Sequence, residues 1–303
     1  MLKKIKTFFL NPEKRMIFLA QHGFYNNMDD ELFLKKQFKN VFGYELNLDS
    51  PETFNEKLQW LKLYNRKAEY TTLVDKYEVK QYVSDTIGAE YLIKNIGVWD
   101  KFEEIDFSKL PNQFVLKCTH DSGGLIICKN KEKLNLEKAR KKINQSLKRN
   151  YYYQNREWPY KNVKPRIICE EYMSDEKQQD LLDYKFLCYN GKVEASFVCS
   201  ERRSNKGLAV DFFDRDWNHI PVERHYRNAD IVPMKPINYD IMIKLAEKLS
   251  RDIPFVRVDF YEINERIYFG EMTFYPGSGF EEFTPKEYDY FFGKKLKLPE
   301  RSL

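Results

Sequence analysis

Apolar residues recur at helical spacing in the first part of the chain and gather into short runs through most of the rest. Residues 29–42 bring Leu32, Phe33, Phe38, Val41 and Phe42 towards one face at the ~3.6-residue period, and Gly43 ends the run. Ser50-Pro-Glu-Thr-Phe-Asn55 reads as a capped entry to a helix over 56–64 carrying Leu58, Trp60 and Leu61. A further helix is expected over 75–83, stopping near Gly88. Helices over 135–149 (Leu136, Ala139, Ile143 and Leu147 inward) and 238–250 (Ile241, Ile243, Leu245, Ala246, Leu249) follow later. Residues 151–153 and 158–160 form an aromatic loop. Short strands are expected at 91–93, 96–99, 114–119, 125–128, 166–173 and 209–213. Strands 183–189 and 192–199 flank Asn190-Gly191, the preferred pair for a type I′ turn. A last hairpin pairs 255–261 with 267–274 around a turn at 262–266, before a short aromatic tail. Hairpins with interspersed helices argue an α+β fold built on antiparallel sheets.

The 303 residues allow one large domain or two fused ones, and 42% hydrophobic content suffices for a core. A net charge of +5, from 51 basic and 46 acidic residues, suits an anionic substrate or membrane surface. It is far from a polycation, so no nucleic-acid partner is expected. The five cysteines, 118, 128, 169, 188 and 199, all fall in expected strands without ligand-type spacing. That pattern suits buried, reduced thiols in a cytoplasmic protein and argues against a cysteine metal site. No apolar run approaches the roughly 20 residues that span a bilayer. Residues 1–10 start basic and aromatic but are cut off by Asn11-Pro12 before a signal-peptide core forms. An amphipathic helix is expected there, with peripheral contact at the inner face of the membrane as the alternative.

Chemistry enters with the last hairpin. Asp259 and Glu271 sit inside its paired strands, where two carboxylates on one face repel unless a cation lies between them. Mg²⁺ completed by phosphates is the natural candidate, and Pro276-Gly-Ser-Gly279 supplies a loop beside it. Arg257 shares the face of Asp259 and suits gripping a phosphate oxygen. Lys117 interrupts an apolar strand and needs an anion. Ser122, Gly123 and Gly124 follow it in a loop that lets backbone approach a phosphate, with His120 and Thr119 adjacent. Lys76, after Asp75, is a second phosphate contact. Glu170-Glu171-Tyr172-Met173 ends a strand and runs into a connector able to present backbone groups to an adenine edge. Asp183 and Lys185 share a strand face, and Arg202 and Arg203 follow another strand. Taken singly, each feature also fits a plain surface role: solvent-face acids, an exposed lysine, a salt-bridged strand pair.

The order of these features resembles the ATP-grasp superfamily over residues 70–285. Phe54-Asn-Glu-Lys-Leu-Gln-Trp60, Asp75-Lys76, Lys117-Cys-Thr-His-Asp-Ser-Gly-Gly124, Asp183-Tyr-Lys-Phe186 and Val256-Arg-Val-Asp-Phe-Tyr261 resemble its TupA-like branch. That branch is associated with capsule and other surface polysaccharides. The resemblance implies a helical N-terminal region (1–70) and an ATP-grasp domain (71–303) divided at 168/169, with ATP between two antiparallel-sheet subdomains. Lys76 and Lys117 would hold the α- and β-phosphates, and Ser122, Gly123 and Gly124 would form the lid. Glu170, Glu171, Tyr172 and Met173 would hold adenine, and Asp183 and Lys185 would lie near the ribose or triphosphate. Asp259 and Glu271 would bind Mg²⁺, with Arg257 on the transferred phosphate and Arg202 assisting. Thr273 stands where the family has an asparagine as third ligand, leaving a second metal open. The implied reaction is ATP-dependent ligation of a carboxylate, such as a uronic acid on a glycan or its precursor, to the amine of an amino acid or amino sugar. Two other readings were weighed. One is a glycosyltransferase using Asp214-Arg-Asp216, and the other a carbohydrate- or anion-binding module using residues 149–166.

Overall fold

The computed structural model describes residues 11–175, 181–202 and 204–301. The helix expected over 1–10, and Arg203, lie outside the described residues. Helix α1 (Pro12–Gln21) starts where Asn11 accepts from the Lys14 amide at 2.8 Å. Helix α2 (Asp30–Phe42) is capped by Asp29 and ends at Gly43, whose φ of 78° is left-handed. It buries Phe33, Leu34, Gln37 and Phe38, whereas Leu32 is exposed. The inward stripe is therefore 33/34/37/38, and Leu32 lies about 200° from Leu34 around the axis. Helix α3 (Phe54–Tyr64) opens on a capping box in which Thr53 and Glu56 satisfy each other's backbone amides.

The helix expected over 75–83 begins only at Val79 (α5, Val79–Thr86), and a further short helix, α4 (Glu69–Val74), precedes it. Asp75 breaks them apart, because its carboxylate accepts from the amides of Tyr77 at 2.8 Å and Glu78 at 3.2 Å. Lys76 consequently projects from a turn. Residues 91–93 form no strand; a 3₁₀ turn, Ala89–Tyr91, stands there.

Strands β1 (Asn95–Trp99), β2 (Phe114–Cys118), β3 (Leu125–Cys128) and β4 (Ile167–Glu171) form a four-stranded sheet in the order β1-β4-β2-β3. Helix α6 (Leu136–Leu147) covers it, burying Ala139, Ile143 and Ser146 and leaving Leu136 exposed. Helix α7 (Tyr152–Asn155) follows where an aromatic loop was expected. The division between sheets falls after β4, not at 168/169, because all of β4 pairs with β1 and β2.

Strands β5 (Asp183–Tyr189), β6 (Lys192–Ser200), β7 (Ala209–Asp214) and β8 (His219–Ile220) continue the chain, followed by β9 (Glu223–Arg224), helix α8 (Tyr239–Leu249), β10 (Phe255–Ile263) and β11 (Arg266–Thr273). The second sheet has six strands in the order β11-β10-β5-β6-β7-β8. β9 pairs with β12 (Phe283–Thr284), and helix α9 (Glu287–Lys295) ends the fold. Every strand pair is antiparallel. Asn190 and Gly191 both take positive φ, as type I′ requires. The β10–β11 turn is tighter than expected: only Asn264 and Glu265, with φ 49° and 64°, lie between the strands. All five cysteines are buried and free, one in each of β2 to β6. No helix among the described residues is long and apolar enough to cross a membrane.

Two apolar cores result. The smaller packs Phe114, Leu116, Cys169 and Ile143 between the first sheet and α6. The larger joins the second sheet to α2, α3, α5 and α8 through Phe33, Phe54, Val83, Met242 and Val258. Helix α9 closes on the start of α3 through Gly293, where a Cβ would strike the Glu52 carbonyl oxygen and lie 2.8 Å from Phe54 N. Lys57 then reaches the α9 C-terminal carbonyls of Gly293 and Leu296, both at 2.8 Å. Gly293→Ala is expected to destabilise the fold by about 1–3 kcal/mol through overpacking. Denaturant unfolding measures this, and an unchanged midpoint would show that the helix pair can part without cost.

Candidate functional site

The two sheets face each other across a cleft. Lys117, Glu170 and loop 121–124 line it from the first sheet; Asp183, Lys185, Asp259 and Glu271 line it from the second. The cleft continues outward past Glu171, Tyr172 and Met173 to Arg202. The sequence-predicted residues thus meet in one place, with Thr273 and Arg257 completing the deep end through their contacts with Glu271.

Strand register builds that end. β10 pairs with β5 so that Asp259 faces Lys185 and Tyr261 faces Asp183. On its other side β10 meets β11 through a bulge: Val258 pairs with Met272 and Phe260 with Phe269, so Asp259 alone opposes Gly270 and Glu271. Glycine suits position 270, since a Cβ there would sit 3.2 Å from the Asp259 carbonyl oxygen and 3.3 Å from its Cβ. Arg257 fills the space where a divalent cation was expected. Its Nε and Nη2 donate to the Asp259 oxygens at 2.6 and 2.7 Å, and Nη2 also donates to Glu271 at 2.9 Å. Lys185 closes on the same Asp259 oxygen. Burial works against charge on Arg257 and Lys185, but the neighbouring carboxylates hold both firmly protonated. Burial alone would raise Glu271; Arg257, Lys76, Lys185 and Lys117 together bring it down to about 2. Arg257 contacts Glu271 directly, and Lys76, Lys117 and Lys185 line the same cleft and act on it through space.

The other cleft cations are also held by internal partners. Lys117 reaches Glu170 at 2.6 Å, and Lys80 of α5 takes the other Glu170 oxygen at 2.5 Å. Burial opposes the charge of Glu170, yet Lys117 and Lys80 hold its carboxyl below the usual glutamate range. Lys76 donates to the Asp121 carbonyl at 2.7 Å. Asp121 anchors the loop, accepting from the Gly124 amide at 3.1 Å and from Ser146. Ser122 and Gly123 are exposed at the loop tip. Arg202 donates to Asp183 at 2.6 Å, on the flank where Tyr172 and Met173 lie.

Lys80, Asp121 and Tyr261 line the cleft without having been anticipated. Asp121 opens the Asp-Ser-Gly turn and so carried a local signal, whereas Lys80 acts through the sequence-distant Glu170 and carried none. His120 is turned inward, its Nε2 against the Ser146 carbonyl at 3.1 Å, and burial lowers its pKa. It is a packed group rather than a phosphate contact. Asp214 accepts from the Asp216 and Asn218 amides in a turn, so Asp214-Arg-Asp216 is engaged locally. With every strand pair antiparallel, the parallel half that a nucleotide-sugar transferase needs is absent among the described residues.

The model of the TupA-like ATP-grasp family matches residues 56–297. The chain belongs to this family. The ATP-grasp fold follows, with its antiparallel sheets and flanking helices. Among solved structures, the chain is similar to D-alanine–D-alanine ligase from Helicobacter pylori, with 14% identity, 82% of this chain and 70% of that one covered, and a TM-score of 0.42. It is similar to the ATP-complexed enzyme of the same name from Bacillus anthracis, with 13% identity, 67% and 55% coverage, and a TM-score of 0.40. The ATP-grasp ligase PsnB with its minimal precursor shows 9% identity, 73% and 59% coverage, and a TM-score of 0.39. These likenesses are too distant to carry residue roles, and the chain spans 55% of the length of the Bacillus anthracis ligase. No curated protein matches in sequence.

Asp259 and Glu271 are hard oxygen donors of the kind Mg²⁺ takes together with phosphates; because Arg257 lies between them, the pair would hold Mg²⁺ only with that guanidinium turned aside. Among the described residues no three His, Cys, Asp or Glu side chains gather into a self-sufficient metal cage. Thr273 donates to Glu271 at 3.4 Å. Because Glu271 titrates at about 2 rather than 4.5, the unfolded chain takes up its proton first as pH falls. Its contribution to stability is therefore present above 4.5 and lost as pH drops towards 2. Glu271→Gln should be less stable than the wild type at neutral pH, and the gap should narrow across that acid window. Urea unfolding at successive pH values reads this directly; a pH-independent gap would contradict the assignment.

Proposed function

We propose that the protein is an ATP- and Mg²⁺-dependent carboxylate–amine ligase acting through an acyl phosphate. The observation that carries this reading is the gathering of Lys76, Lys117, Lys185, Asp259 and Glu271 in one cleft between the two sheets of an ATP-grasp chain, with Arg257 bonded to both carboxylates. Lys76 and Lys117 are assigned to the α- and β-phosphates, under a lid formed by Ser122, Gly123 and Gly124. Glu170 holds Lys117 in position, and Glu171, Tyr172 and Met173 flank the adenine. Asp183 and Lys185 face the ribose and triphosphate, with Arg202 fixing Asp183. Asp259 and Glu271 hold Mg²⁺, with Thr273 orienting Glu271. When bound, the metal neutralises charge on the phosphates and orients them. This reading assigns one metal and leaves a second open; among the described residues no third His, Cys, Asp or Glu joins the pair.

The substrate carboxylate oxygen attacks the γ-phosphorus, the bond to the β-phosphate oxygen breaks, and ADP leaves. Arg257 holds the transferred phosphoryl group and stabilises charge on its oxygens. The amine then attacks the acyl carbon, phosphate departs with the bonding pair, and the amine proton passes to solvent. The acceptor is taken to be a uronic-acid carboxyl on a glycan or its precursor, and the donor an amino acid or amino sugar, in surface-polysaccharide biosynthesis. That assignment rests on the resemblance to the TupA-like branch. A cytoplasmic location suits an ATP consumer with five free thiols.

Calorimetry with Mg-ATP should show binding, and ADP release should rise when a uronic acid and an amine are both supplied. Lys117→Ala and Glu271→Ala should each lower turnover by about 100-fold or more with the fold intact by circular dichroism. Absence of nucleotide binding would sink the ligase reading, and wild-type turnover in either variant would overturn the site assignment.

A further inference from the structure

A second pocket opens on the far side of loop 121–124. Asp121 and Ser122 line both it and the cleft; its other walls are the α1 end with the turn after it and residues 148–154. Ser122 and Asp121 are thus the wall between this pocket and the cleft, and Tyr151 stands on the pocket side.

The walls are clamped by an interaction that the cleft does not use. Arg156, 1% exposed, spans them. Its Nη1 donates to the Tyr153 carbonyl at 3.0 Å and its Nη2 to the carbonyls of Tyr25 and of Met28, the latter at 3.3 Å. Its Nε pairs with Asp30 at 3.0 Å, and Tyr152 donates to both Asp30 oxygens at 2.5 and 2.6 Å. A buried guanidinium is costly to desolvate; here it makes one rigid unit of the turn before α2 and the segment around α7.

The lining differs from the cleft in one respect. The cleft cations Lys80, Lys117, Lys185, Arg202 and Arg257 each meet a carboxylate, and Lys76 meets a carbonyl. Lys148 and Arg149 line the second pocket, are exposed, and pair with no carboxylate among the described residues. The Arg149 side chain donates to the Gln145 carbonyl at 3.3 Å. Around them stand amides (Gln21, Asn26, Asn150, Gln154) and two tyrosine rings (Tyr151, Tyr153). Unpaired cations call for an anion, amides for hydroxyls, and ring faces for the C–H face of a sugar.

We propose that this pocket is an acceptor subsite for an acidic oligosaccharide. It takes a sugar unit next to the reacting one, with that unit's carboxylate on Lys148 and Arg149, while the reacting carboxyl passes Ser122 towards Arg257. The proposal rests on the ligase reading for the reacting end only. It also gives residues 20–26, which lie outside the family match over 56–297, a role in choosing the acceptor.

The test uses the full chain, with trigalacturonate, galacturonate and neutral maltotriose as probes, titrated by calorimetry with and without Mg-ADP. Trigalacturonate should bind at least about tenfold more tightly than galacturonate, and maltotriose not measurably. The exposed double variant Lys148→Ala/Arg149→Ala should lose that advantage while Mg-ATP affinity stays as in the wild type. Equal binding of the two uronates, or an undiminished advantage in the double variant, overturns the subsite. Failure of Mg-ATP to bind strikes the ligase reading instead, and leaves a trigalacturonate result to decide the pocket on its own.

Discussion

The Arg257–Asp259 ion pair, with Lys185 closing on the same carboxylate, is the constraint on which the cleft depends. Asp259 is 1% exposed and lies on a central strand of the larger sheet. Removing such charges from water costs several kcal/mol per ion, and only close mutual pairing offsets it. The pairing requires the β5–β10 register that faces Asp259 with Lys185, and a one-residue slip would turn both to the opposite face. It also requires the bulge at Gly270 and Glu271, which brings a second carboxylate to the same guanidinium. Apolar residues of similar volume would serve stability as well or better. The cluster is therefore a burden on the fold, one that the proposed phosphate-handling role would explain.

The remaining cleft groups follow the same logic. Glu170 is nearly buried, and its two oxygens fix Lys117 from β2 and Lys80 from α5. Asp183 fixes Arg202, and the Asp121 carbonyl fixes Lys76. The cations are thus placed before any ligand arrives, which is the condition under which charge stabilisation carries no reorganisation cost. The carboxylates Glu170 and Asp183, expected as ligand contacts, pair here with Lys117, Lys80 and Arg202.

What was legible in the sequence is what local chemistry determines. Asn190-Gly191 specified its turn, Thr53 and Glu56 their capping box, and the β-rich runs their antiparallel strands. The misses have tertiary or backbone causes. The β10–β11 turn looked longer because Glu265 is a poor candidate for positive φ, yet it adopts 64°. Asp75 looked like part of a helix because its side chain's competition for the Tyr77 and Glu78 amides leaves no periodic trace. Lys80 could not be recognised from spacing, since its role arises only when α5 packs beside β4 and meets Glu170. Arg257 was read correctly as sharing the face of Asp259, but that it would stand between the two carboxylates depends on a bulge that composition does not announce.

Loop 121–124 joins these strands of reasoning, because its two ends are built differently. At Gly124 a Cβ would lie 2.5 Å from Cys118 Sγ and 2.6 Å from Ser146 Oγ, so the base is packed against β2 and α6. Asp121 pins the same base through Ser146, the Gly124 amide and Lys76. At Gly123, by contrast, a Cβ would meet nothing within 4 Å, and φ is 152°. Packing thereby leaves Ser122 and Gly123 as the loop's open tip, and Ser122 lines both the cleft and the pocket behind it. A short tip on a rigid base can close over phosphates without disturbing Lys76 or Lys117. In the proposed ligase it would also be the thin wall past which the acceptor carboxyl reaches the phosphoryl group.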